Sequence, residues 1–346
     1  MSSSSYSPRK PVVPSRPAGP LPEQETGPGH WARRVVVTLL AVSWLLTTAY
    51  TGLSIYLAMR LVSEDPRLPI TKTPAALGLE YQDVSFLSRD DHLLLRGWFI
   101  PGVLPNGHLT AARAIIMVHG HDANRADPDV GILDLSAALA RNGFAVLAFD
   151  LRGHGQSEDA LFSLGQFEQR DVLGAVDFLR EGILPYPDLE RPKAIGGWGV
   201  SLGATSLLLA AAQEPAIRAV VSDAAFADAI PILEQRIPKA GVPAFMTPGT
   251  LLAARAVYGI DFYHIRAVDV VASLAPRPIF FIHGAADSST PPSDMAELVA
   301  AANTAPKAHV ESWLVPGATH AHSFKVAGQE YITRLVSFFN SGLGSL

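Results

Sequence analysis

The segment Gly199-Val200-Ser201-Leu202-Gly203 constrains this chain more than any other, because it joins an apolar run typical of a strand to one typical of a helix. A serine on such a tight turn holds its hydroxyl where a base and a substrate can reach it. Glycines on both sides permit the sharp bend, since they carry no Cβ atom. The free N–H groups that open the helix suit a developing oxyanion. The pattern predicts that Ser201 is a nucleophile; a plain glycine-rich turn is the alternative.

Strands and helices alternate through residues 80–346. Apolar runs predict strands at 81–88, 93–100, 114–118, 145–149, 193–198, 219–221, 278–282 and 310–315. Helical patterns follow several of them, at 130–142 and 167–181 among others. Continuous apolar strands separated by helices are typical of a mostly parallel sheet with helices on both faces. Such sheets form their sites at the carboxyl ends of the strands.

Residues 224–268 interrupt this alternation with several prolines and a weak helical pattern. Their position predicts a small insert that covers the site as a lid. Lids usually determine which substrate is accepted, and most of the large side chains of this insert are apolar. The alternative, which fits the same pattern, is an insert that packs on the domain and has only a structural role.

Two further side chains follow predicted strands. Asp287 comes after the strand at 278–282, and His320 comes after the strand at 310–315. A nucleophilic serine needs a base, and the base needs a carboxylate that orients it. We therefore predict that His320 is the base for Ser201 and that Asp287 holds its ring.

Rivals for both roles exist. His322 is an alternative base, and Asp223, after the strand at 219–221, is an alternative acid. The pairs His320/His322 and His119/His121 resemble metal ligands, but no carboxylates lie at a matching spacing. The sequence predicts neither a metal nor a cofactor. It contains no cysteine, which excludes thiolate catalysis, disulfides and cysteine zinc sites.

Two loops complete the predicted site. His119-Gly120-His121-Asp122 ends the strand at 114–118, and the backbone N–H of His121 is predicted to bind the oxyanion together with that of Leu202. The side chains of His119 and Asp122 are expected to fix this loop. The Asp150–Ser157 segment ends the next strand. It is interpreted either as a wall of the site or as a tight turn held by an Asp and an Arg side chain.

The N-terminal region predicts a membrane anchor. Residues 35–59 contain no charged side chain, and as a helix these 25 residues would span about 37 Å, more than the ~30 Å hydrocarbon core of a bilayer. Basic residues concentrate before the segment, at Arg9, Lys10, Arg16, Arg33 and Arg34. The positive-inside rule therefore predicts a single-pass protein with a cytoplasmic N-terminus and an extracytoplasmic catalytic domain. A cleaved signal peptide and a buried core helix are the alternatives.

These patterns divide the chain into four parts: a disordered cytoplasmic tail at 1–30, a transmembrane anchor at 31–60, a stalk at 61–79 and a catalytic domain at 80–346. Residues 1–30 are rich in Ser, Pro and Gly. The net charge of −5, without a long basic run, argues against nucleic acid as a partner. The predicted partners are the bilayer and a small acyl substrate.

The motifs together resemble the α/β-hydrolase superfamily, over about residues 80–340. The residues that carry the resemblance are His119-Gly120, Arg125, Asp150–Ser157, Gly199–Gly203, Asp287 and His320, with Ser, Asp and His in the order of that fold's triad. They are most similar to membrane-anchored bacterial members of the esterase, thioesterase and dipeptidyl-peptidase-like type. The resemblance implies an eight-stranded sheet and hydrolysis of carboxylic esters or thioesters through an acyl-enzyme. A peptidase or acyltransferase on the same residues is an alternative, as is a non-catalytic scaffold.

Overall fold

The structure, a computed structural model, describes residues 8, 9, 11, 19, 29–63 and 67–344. Most of the predicted tail at 1–30 therefore lies outside the described residues. The chain divides into two compact units, Met1–Ala49 and Tyr50–Leu346.

The first unit contains most of helix α1 (Gly29–Val62). At 1.5 Å per residue its 34 residues extend about 51 Å, and its most apolar 18-residue window is entirely unburied. An apolar surface of this size on a helix calls for an apolar environment. The helix is long and apolar enough to cross a membrane, and its orientation there stays a prediction.

The second unit contains the sheet. Its strands are β1 (Gln82–Leu87), β2 (Leu94–Ile100), the short pair β3 (Gly102–Val103) and β4 (Leu109–Thr110), β5 (Arg113–Val118), β6 (Ala145–Phe149), β7 (Ala194–Val200), β8 (Ile217–Asp223), β9 (Pro278–Gly284) and β10 (His309–Val315). Within the described residues, eight of them form one sheet in the order β1-β2-β6-β5-β7-β8-β9-β10. β1 and β2 pair antiparallel, as do β2 and β6, and all other neighbours are parallel. The predicted mostly parallel eight-stranded sheet is confirmed.

Helices cover both faces of this sheet. The helices that follow α1 are α2 (Ile132–Arg141), α3 (Glu168–Glu181), α4 (Leu202–Gln213), α5 (Ala229–Lys239), α6 (Thr247–Tyr258), α7 (Pro292–Ala302), α8 (Ser323–Ala327) and α9 (Gln329–Leu343), of which α5 and α6 belong to the insert between β8 and β9. Alternate residues of a strand point to opposite faces, so Ile116 joins the cluster with α3 and α4, whereas Ile115 joins the cluster with α2 and α9. The apolar runs of the central strands are continuous because both faces are buried.

Residues 224–268 form α5, α6 and short 3₁₀ turns between β8 and β9. The last turns of α1, from Tyr50 onward, pack against this insert. The Tyr50 hydroxyl donates to the carbonyl of Phe245 (3.2 Å), and a Cβ atom on Gly249 would collide with Tyr50 and Ser54. The carbonyl of Val62 accepts a hydrogen bond from the amide of Phe162 (2.9 Å). The end of α1 is therefore part of the second unit.

Residues 67–79, the described part of the predicted stalk beyond α1, also pack against the rest of the second unit. Arg67 donates to the carbonyls of Gly155 (3.1 Å) and Ser157 (2.6 Å), and the Asn124 amide donates to the carbonyl of Leu68 (3.0 Å). Leu79 is buried in the core beside α2. These contacts hold the segment against the loops that surround the site.

Candidate active site

Ser201 occupies a strained turn between β7 and α4. Its backbone angles are φ 53° and ψ −119°, a region that costs a non-glycine residue about 1–3 kcal/mol. The surroundings leave no room for relaxation. A Cβ atom on Gly199 would lie 2.5 Å from the Gly203 carbonyl oxygen, and one on Gly203 would collide with the Val118 and His119 carbonyls. Both glycines are therefore required sterically.

The structure brings Ser201, His320 and Asp287 together at the carboxyl ends of β7, β9 and β10. The Ser201 Oγ lies 2.8 Å from His320 Nε2, and His320 Nδ1 lies 2.7 Å from Asp287 Oδ2. The first distance suits transfer of the serine proton to the imidazole. The second holds the ring with Nδ1 protonated and Nε2 free to accept.

The Asp287 carboxylate is buried but well supplied with donors. Its Oδ1 accepts from the amides of Ser289 and Thr290 (2.9 Å each). Burial opposes ionisation, but hydrogen bonds from His283 and His320 outweigh it and hold the pKa of Asp287 below its usual range. The carboxylate therefore stays ionised wherever an imidazole of ordinary pKa, about 6.5, changes its charge.

His283, at the end of β9, is a site residue that the sequence analysis missed. Its Nε2 lies 2.9 Å from the carbonyl of Thr290 and 3.3 Å from Asp287 Oδ2. Because both partners are acceptors, Nε2 carries a proton. Burial disfavours a charged ring, but the bonds to Asp287 and Thr290 prevail and raise the pKa of His283. A polar side chain that ends an apolar strand just before Asp287 was the available signal.

The two rival residues have other partners. His322 lies against Thr319 Oγ1 (2.8 Å) and Asp129 Oδ2 (3.0 Å), away from Ser201. Asp223 accepts hydrogen bonds from Tyr331 and Ser323 (2.9 Å each). Burial raises the pKa of Asp223 to about 6, against the effect of these two bonds.

The loop after β5 fixes the peptide between Gly120 and His121. His119 Nε2 accepts from the amide of Leu151 (2.9 Å), so its proton is on Nδ1, which donates to the Gly120 carbonyl (2.7 Å). Burial lowers the pKa of His119, in keeping with a neutral ring. In a trans peptide the N–H points opposite to the C=O, so the His119 bond also sets the direction of the His121 N–H.

The loop after β6 is held by ion pairs. Asp150 pairs with the Arg125 side chain and accepts from the amides of Arg125 and Gln156 (2.8 Å each). Arg152 pairs with Asp171 (2.6 Å) and Asp91 (2.7 Å). This pattern fits the tight turn that the sequence suggested for Asp150–Ser157.

A cavity of about 430 Å³, which we call the α5 pocket, adjoins His121. Its walls come from the end of α1, the loop after β6, α5 and α6. The lining residues are Tyr56, Leu57, Arg60, Leu61, Ser63, His121, Phe162, Leu164, Leu233, Arg236, Ile237, Ala240, Val242 and Thr250. The volume lies in the range of about 300–1,000 Å³ that is typical of small-molecule sites.

The histidines and carboxylates are the side chains that could serve as metal ligands. Over residues 29–63 and 67–344 and the few others described, no group of three or more is placed to hold a metal ion.

Comparison with known proteins places this geometry in a family context. The sequence profile of the prolyl oligopeptidase family matches residues 134–345. The uncharacterized protein YfhR of Salmonella typhi is 27% identical over 84% of this chain and 92% of its own length. Thiohydrolase aneE of Aspergillus aculeatus is 31% identical over 59% of this chain and 60% of its own. The Pyrococcus furiosus esterase Pf2001 superposes with a TM-score of 0.65 at 25% identity, covering 82% of this chain and 98% of that one.

Proposed function

The chain belongs to the prolyl oligopeptidase family and is a serine hydrolase of the α/β-hydrolase fold, and we propose that it cleaves carboxylic esters or thioesters through an acyl-enzyme. The observation that carries the proposal is the pair of short distances from Ser201 to His320 and from His320 to Asp287. In this mechanism the three residues act as nucleophile, base and orienting acid.

Each step follows from the positions of these groups. His320 Nε2 removes the proton of Ser201 as its Oγ attacks the substrate carbonyl carbon. The resulting oxyanion is stabilised by the N–H groups of Leu202 and His121. When the tetrahedral intermediate collapses, its bond to the alcohol or thiol breaks, and the leaving group takes the proton from His320. His320 then deprotonates a water that attacks the acyl-enzyme, which releases the acid and returns the proton to Ser201.

Two observations favour esters and thioesters over amides. The α5 pocket beside His121 is mostly apolar, which suits an acyl or alkyl chain. Two of the similar proteins are described as an esterase and a thiohydrolase. The family match is a specific observation in favour of a peptidase, which is the second candidate.

A substrate panel separates these candidates. The full-length protein in detergent should hydrolyse both p-nitrophenyl esters and acyl-CoA thioesters. For a series of p-nitrophenyl esters, kcat/KM should rise with the length of the acyl chain until that chain fills the α5 pocket. Dipeptide p-nitroanilides should be hydrolysed much more slowly, beyond the difference in intrinsic reactivity. The full chain is needed because the end of α1 forms one wall of the pocket. Faster turnover of the anilides would favour the peptidase instead.

The orienting role of Asp287 gives a second test. Asp287→Asn should lower kcat for the best ester by about 10³–10⁴, because an amide that donates to Nδ1 favours the wrong tautomer of His320. Asp223→Asn is the matched control, since that buried carboxylate binds Tyr331 and Ser323 instead of His320. Its kcat should stay within about tenfold of the wild-type value. Steady-state kinetics checks both, and a larger loss in Asp223→Asn would reverse the assignment.

The same proposal extends to the membrane. The apolar part of α1 would cross the bilayer with its N-terminus in the cytoplasm, as the basic residues before it indicate. The hydrolase domain would then lie on the extracytoplasmic side.

A further inference from the structure

Two cationic side chains line the otherwise mostly apolar α5 pocket. Arg236 comes from α5, and Arg60 comes from the last turn of α1. The walls around them are formed largely by leucine, isoleucine, valine and phenylalanine side chains. A pocket for a purely apolar chain gains nothing from a guanidinium, because desolvation of that group opposes binding.

Arg236 is not paired with a carboxylate in the described part of the chain. Among the residues that the structure describes, no carboxylate lies within ion-pair distance of its half-buried guanidinium, and no acceptor is hydrogen-bonded to it. Arg125 and Arg152, by contrast, pair with Asp150 and Asp171. Burial lowers the pKa of Arg236, and the more distant charges of Asp122 and Asp287 offset this only in part.

We infer that the α5 pocket binds an ester that carries a carboxylate or phosphate group in addition to its apolar chain, and that Arg236 contacts the anionic oxygens. A guanidinium can bind either group through two parallel hydrogen bonds, and its charge is compensated only when such a ligand is present. The inference rests on the proposed function, in which the N–H of His121, a residue of the pocket wall, binds the oxyanion. It makes Arg236 a specificity residue.

Such a substrate has two sources. A soluble half ester of a dicarboxylic acid combines the ester, the chain and the anion. A lysophospholipid does so in a bilayer, and the pocket wall formed by Tyr56, Leu57 and Leu61 continues a helix whose earlier turns are apolar enough to cross a membrane. Both offer anionic oxygens to Arg236, from the acyl part in the half ester and from the alcohol part in the lysophospholipid, so the experiment has one arm for each.

The test compares matched anionic and neutral substrates. The soluble arm uses the mono-p-nitrophenyl ester of octanedioic acid against p-nitrophenyl octanoate. The lipid arm uses lysophosphatidate against monoacylglycerol in phosphatidylcholine vesicles. Arg236→Gln should lower kcat/KM about 10- to 100-fold for the anionic member and less than threefold for the neutral one. Arg236→Lys should restore part of the loss. Lys239→Gln, which removes an exposed charge from the same helix, should affect neither.

Binding of dodecanedioate, measured by calorimetry on the wild type and on Arg236→Gln, adds a readout that does not depend on turnover. Hydrolysis of neutral esters without a preference for anionic ones, or equal losses on both in Arg236→Gln, would overturn this inference and leave the proposed function intact. Arg236-dependent binding of dodecanedioate without hydrolysis of any ester would overturn the proposed function instead. A higher kcat/KM for the half ester would indicate a soluble substrate, and a higher kcat/KM for lysophosphatidate would indicate a substrate from the bilayer.

Discussion

Replacing Ser201 with alanine is expected to lower kcat for the best ester by about 10⁵–10⁶, the loss seen when a serine hydrolase of another fold loses its nucleophile. Without Oγ no acyl-enzyme forms, and the remaining rate comes from the oxyanion donors and from binding alone. KM should change little, because the substituted atom is small and the α5 pocket is unaltered.

Labelling by a fluorophosphonate probe gives an independent measurement. The wild-type chain should take up one equivalent at Ser201, and Ser201→Ala should take up none. Ser206→Ala is the matched control, because this hydroxyl lies on α4 and donates to the Leu202 carbonyl (2.8 Å), outside the reaction. It should be labelled normally and keep kcat within about threefold. Normal turnover by Ser201→Ala would contradict the proposed mechanism.

The parts of the fold that local patterns determine could be predicted from the sequence. The turn at Ser201 is one example, because a strand, two glycines and a helix specify it within about twenty residues. The parallel strands are another, since burial on both faces leaves them continuously apolar. The short pair β3 and β4 was missed because two residues per strand leave no periodicity to detect.

The features that depend on contacts between distant segments could not be predicted. Asp223 ends one parallel strand and Asp287 follows another, so the sequence favours Asp287 without excluding Asp223. The packing of Tyr331 against the first and of His320 against the second separates them. The α5 pocket likewise requires the end of α1 to meet residues far along the chain, as in the bond from Phe162 to Val62. The hydropathy of α1 predicts an apolar environment for it but cannot specify which of its turns pack on the protein.

His320 and His322 provide a closely matched pair for the last prediction, because they are two residues apart in one loop. His320→Ala should lower kcat by about 10⁵–10⁶, nearly as much as loss of Ser201, since the two residues act as one unit. Within the described part of the chain, the side-chain hydrogen bonds that His322→Ala removes are those with Thr319 and Asp129, so kcat should stay within about threefold. Unfolding temperatures of both variants show whether the loop is intact.

Added imidazole distinguishes lost chemistry from lost structure. In His320→Ala the removed ring leaves space beside Ser201 Oγ, and an exogenous imidazole held there can accept the serine proton. Activity should rise with imidazole concentration and with its deprotonated fraction, and therefore with pH through about 7. Asp287 does not limit this rise, because the bonds from His283 and from the Ser289 and Thr290 amides remain in the variant and even the ordinary pKa of an aspartate, about 3.9, lies well below this range. A large loss in His322→Ala that imidazole restores would instead make His322 the base.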